Sequence, residues 1–80
     1  MNEKTLNSLM EDFTVLYETR PYLEINDYYT SKSGMTTVLH VGHFGSLMAS
    51  YITKLEQKYG LTWAIAMSLS IDGDIPIVFI

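Results

Sequence analysis

Large apolar side chains recur along this chain with two different periods, and the switch between them marks out its elements. From Asn2 onward, Leu6, Leu9, Met10, Phe13, Leu16 and Tyr17 follow one another at steps of three and four, the spacing of a single helix face. Asn2 supplies the N-cap, and Arg20-Pro21 ends the run because the residue before proline is driven out of the α region. The same period returns in Phe44, Leu47, Met48, Tyr51, Ile52, Leu55 and Tyr59, with Gly60 placed for a left-handed C-cap. These two stripes predict two amphipathic helices.

Between and after them the period drops to two. Tyr22 to Thr30 alternates, and Met35 to Val41 is rich in β-branched residues, with Ser31-Lys32-Ser33-Gly34 as the turn that makes them a hairpin. Leu61 to Ile71 alternates over eleven residues, and Asp72-Gly73 then offers the positive-φ pair of a two-residue turn into Ile75 to Ile80. The order α-β-β-α-β-β predicts an α+β fold in which a four-stranded, mostly antiparallel sheet carries both helices on one face. The expected organisation is a single domain over residues 1–80.

The final hairpin bears on function through its register. A two-residue loop pairs Ile71 with Asp74 and sets Ile75, Ile77 and Phe79 on a face with only Ala66, Ser68 and Ser70 beside them, an open apolar strip suited to self-association in a homodimer. A longer loop that shifts the register instead places the same three residues in the core.

Charge is unevenly distributed. The net charge is -4, and all of it lies in residues 1–30, where Glu3, Glu11, Asp12, Glu18, Glu24 and Asp27 face only Lys4 and Arg20. Without a cluster of Lys and Arg the chain is a poor match for phosphate backbones, so no direct nucleic-acid binding is expected. No apolar run approaches bilayer length and no signal peptide is visible, so the expectation is a cytoplasmic protein with no membrane contact. Cysteine is absent, which removes disulfides and thiolate metal sites.

Chemistry-bearing motifs are sparse. His40 and His43 form a His-x-x-His pair without an adjacent carboxylate, and Asp72-Gly73-Asp74 lacks the oxygen ligands of a calcium loop. No nucleophile elbow or phosphate loop is present, so no catalytic residue, metal or cofactor is expected. What stands out is an acidic, tyrosine-bearing face of Glu3, Glu11, Asp12, Glu18, Tyr22, Glu24 and Tyr28, with a chemistry that fits a protein partner presenting a basic surface. In size, charge and lack of catalytic signature the chain is similar to the small inhibitors of phages and mobile elements, anti-CRISPR proteins among them, in build rather than in motif. That likeness implies a non-enzymatic protein-binding module that blocks a nucleic-acid-handling or defence complex. A homodimeric structural or regulatory module joined through the C-terminal hairpin is the alternative reading, and a small-molecule or metal-binding protein the third.

Overall fold

In the computed structural model, which describes Met1 to Ile80, a helix α1 (Glu3–Thr19) leads through a short 3-10 turn (Pro21–Leu23) into strands β1 (Ile25–Thr30) and β2 (Thr37–Val41). Helix α2 (Ser46–Tyr59) follows, then β3 (Trp63–Ile65), a second 3-10 turn (Met67–Leu69) and β4 (Ile75–Phe79). The strands form one sheet in the order β1-β2-β4-β3, every pair antiparallel. The α+β class and the α-β-β-α-β-β order are therefore those expected. No helix is long and apolar enough to cross a membrane.

Both helix ends follow local chemistry. Thr5 N–H donates to the Asn2 side chain at 2.8 Å, satisfying one of the amides that a helix start leaves unpaired. Gly60, at φ 64, closes α2 in the left-handed region, and its N–H donates to the Glu56 carbonyl at 2.8 Å.

The core lies between the sheet and the helices. Leu9, Phe13 and Leu16 from α1 and Met48, Ile52 and Leu55 from α2 meet Leu39, Val41, Ile77 and Phe79 from the two central strands. Leu47 does not join them; it is exposed at the start of α2. The Phe13 ring packs on Phe79 with centroids 5.5 Å apart and meets Tyr28 edge-on at 6.0 Å.

Two departures from strict alternation set which side chains face where. In β1 the register shifts between Ile25 and Asp27, a bulge that puts Ile25 and Tyr28 on the helix side together and turns Asp27 and Tyr29 to the opposite face. The larger departure is in the C-terminal hairpin. Asp72 and Gly73 do adopt positive φ, 53 and 81, and Asp74 N–H donates to the Ile71 carbonyl, so the tight turn is present. The ladder beside it is not a continuous eleven-residue strand. Pairing begins only at Ala66 and Ile65, opposite Pro76 and Ile77, and Met67 to Ser70 lie across from Ile75 alone. This excursion has three more residues than its counterpart, an odd number, and an odd offset swaps the faces of a strand. Ile77 and Phe79 are in consequence fully buried, Ile75 is partly buried, and the strip expected to mediate self-association is part of the core.

Candidate functional site

Strand β2 is buried along its whole length, on the helix side by the core and on the other by a small polar assembly. His40 points to that second face. Its Nδ1 donates to Asp74 Oδ2 at 3.0 Å, and the Tyr29 ring stacks on the imidazole at 5.4 Å with an interplanar angle of 24°. Asp74 in turn organises the excursion that precedes it: Oδ1 accepts from Ile71 N–H at 2.9 Å, and its main-chain carbonyl accepts from Ser70 Oγ at 2.8 Å. The Ile71 amide is the main reason the Asp74 carboxyl sits below its ordinary range; burial opposes the shift and His40 adds to it.

The geometry of Asp74 and His40 is that of the orienting half of a proton-relay pair, but Nε2 has no partner and is sealed from solvent. None of the surface clefts is lined by His40 or Asp74. The pair therefore acts as a tie between the central strand and the β3–β4 loop. His43, by contrast, lies exposed before α2, beside a cleft of about 180 Å3 that it shares with Tyr22, Glu24 and Ser46. No hydrogen bond joins these groups to one another. His40 and His43 thus serve different places, and no group of three or more potential metal-ligating side chains converges anywhere in the molecule.

The loop tied down by Asp74 presents the most distinctive surface. Ile65, Met67, Leu69 and Ile71 are exposed by 42, 56, 43 and 56%, four large apolar side chains within seven residues. Sequence alternation assigned these residues to a half-buried strand. Ile65 ends β3 opposite Ile77, and the excursion that follows leaves Met67, Leu69 and Ile71 open to solvent instead, so that the four make an apolar rim.

The residues of the expected acidic face go to different places. Glu3, Glu11 and Glu18 are exposed along α1 without an ion-pair partner. Asp12 is engaged internally, accepting from Lys58 Nζ at 2.9 Å and from the Tyr59 hydroxyl at 2.6 Å, which raises the Lys58 pKa. Tyr28 turns inward, donating to Thr14 Oγ1 at 2.9 Å. Tyr22 and Glu24 are exposed, but at the cleft beside the start of α2; Glu24 is held in the left-handed region at φ 53, with its carbonyl accepting from Gly42 N–H.

Between the helices runs a groove of about 240 Å3 that sequence reading did not anticipate. Its rim holds Arg20, Lys54 and Lys58, three of the chain's five basic residues, against the single carboxylate of Asp12. Arg20 Nε donates to the Tyr51 hydroxyl at 2.8 Å and lowers the phenol's pKa, with the Tyr22 hydroxyl as the next contributor. Lys54 lies over the Tyr51 ring at 5.4 Å. These cations are scattered in sequence, and only the antiparallel packing of α1 and α2 gathers them. Comparison with known protein-family models, with curated proteins and with solved structures finds no match to this chain.

Proposed function

We propose that this chain is a non-enzymatic protein-binding module that docks on a larger protein through the β3–β4 loop. The observation that carries the reading is the rim of Ile65, Met67, Leu69 and Ile71, exposed at the end of β3 and along the loop after it, which Asp74 and His40 tie down. Apolar side chains held out to water by a pinned backbone lose little conformational freedom when a partner covers them, and contiguous exposed apolar surface marks interaction sites. Met67 adds a flexible, polarisable contact of the kind common on binding surfaces.

The net charge of -4 favours a partner whose surface around the docking point is basic, because long-range attraction raises the encounter rate. A groove that ordinarily holds nucleic acid has that character, and the build shared with small phage and mobile-element inhibitors extends the proposal to blocking such a groove. The absence of cysteine fits action in the reducing cytoplasm.

The test is a paired capture from cytosolic extract with the wild-type chain and a Met67→Ser/Leu69→Ser variant, both checked for folding by circular dichroism. A protein retained by the first and lost by the second supports the reading. Identical capture profiles overturn it.

A further inference from the structure

We propose that the outer surface of the two helices is a second, self-complementary interface: a weak two-fold homodimer in which Glu11 and Glu18 of one copy lie against Lys58 and Lys54 of the other. None of its residues belongs to the docking rim of Ile65, Met67, Leu69 and Ile71, so the inference goes beyond the docking proposal and stands or falls apart from it.

The first observation is the layout of charge. On the outer side of α1, Glu11 and Glu18 are exposed and have no cationic partner; on the outer side of α2, Lys54 is exposed and touches only the Tyr51 ring, while Lys58 is shared with Asp12. Carboxylates line one helix and ammonium groups the other, with the groove between them. A two-fold axis running along that groove exchanges the stripes, so acid meets base twice, whereas an axis across it would set glutamate on glutamate.

The second observation is the level of the residues. Lys58 contacts Asp12 and Tyr51 contacts Arg20, so α2 runs antiparallel to α1. Lys58 is therefore at the height of Glu11, and Lys54 lies about one turn further along, toward Glu18. An axis parallel to the helices preserves height, so each pair comes into register.

The third is what lies on the axis. Val15 sits between the two glutamates on α1, exposed by 56% over a groove floor of Leu16 and Leu55. In the dimer it meets its own counterpart and covers that floor. Two helices of this length, packed about 10 Å apart, offer a patch on the order of 500 Å2 per copy, the lower end of specific interfaces, which makes the dimer concentration-dependent and salt-sensitive.

Sedimentation equilibrium from micromolar to near-millimolar protein tests this. The wild-type chain should self-associate at low salt, and Glu11→Lys/Glu18→Lys and Lys54→Glu/Lys58→Glu should each weaken the dimer by about tenfold or more, since every reversed pair occurs twice across the axis. An equimolar mixture of these two variants should associate again. Because Lys58→Glu also removes the contact to Asp12, Val15→Asp provides a variant that sets like charges on the axis without touching an internal contact, and it should also be monomeric. A wild-type chain that stays monomeric throughout overturns the proposal and leaves the basic groove to an acidic segment of another protein. A dimer indifferent to all these variants also overturns it and moves the contact to the β3–β4 loop.

Discussion

Asp74 Oδ2 and His40 Nδ1 meet at 3.0 Å across a sequence separation of 34 residues, joining the turn of the last hairpin to the middle of the central strand. The ionised carboxylate can only accept, so Nδ1 carries the hydrogen, and Nε2 is left without a hydrogen-bond partner in a sealed site. Replacing His40 with alanine removes the donor and leaves the Asp74 oxygen unmatched, for a loss of about 1–3 kcal/mol in urea unfolding. Asparagine, whose amide reaches the Nδ1 position and brings no second buried nitrogen, should retain more stability than alanine.

The same carboxylate sets a pH dependence. Its folded pKa lies below the ordinary 3.8, chiefly through the Ile71 amide, so the stability it contributes is present above that value and is lost as pH falls through the folded pKa. Urea midpoints measured from neutral pH into strong acid should show this loss in the wild type, and Asp74→Asn should remove that component. Methyl resonances of Met67 should titrate in step, because the carboxylate holds the loop on which Met67 sits.

The register of β4 separates two residues that a simple alternating hairpin would exchange. Ile77 is fully buried, so Ile77→Ala should cost about 2–5 kcal/mol, whereas Met67→Ala should stay within about 0.5 kcal/mol. For the same reason Phe79→Asp should unfold the chain rather than produce a soluble monomer. Chemical denaturation of the three variants checks all of this together.

Gly73 holds φ 81 at the hairpin turn with open space around it, so a methyl group there is penalised by the backbone alone. Gly73→Ala should destabilise by about 1 kcal/mol, which for a domain of this size lowers the melting temperature by roughly 4–8 °C. A scanning calorimeter resolves that difference.

Helix positions and the Asp72-Gly73 turn were readable in the sequence because their signals are local: a stripe, a cap, a residue pair that tolerates positive φ. The eleven-residue alternation from Leu61 was misleading because period two reports side-chain direction and says nothing about whether a partner strand is long enough. In the two-residue register Ile75, Ile77 and Phe79 have only Ala66, Ser68 and Ser70 beside them, and that exposure of three large apolar side chains was the available clue. His40 offered a second: a polar residue between Val38, Leu39 and Val41 needs a buried partner. Which acid answers it depends on a contact between distant strands. The cationic groove left no sequence signal at all, since Arg20, Lys54 and Lys58 become neighbours only when the two helices pack side by side.

Strand β4 lies between β2 and β3 in the sheet, although it is the last of the four in chain order. As the polypeptide emerges from the ribosome, the first hairpin and both helices can form while the sheet stays open along its middle, and β3 has nothing to bond to. Assembly waits on residues 75–79, which must bond to β2 on one side and gather β3 on the other. A chain that has not yet placed them leaves its interior unsealed, so the docking of β4 is the step that withdraws Ile77 and Phe79 from proteases and chaperones.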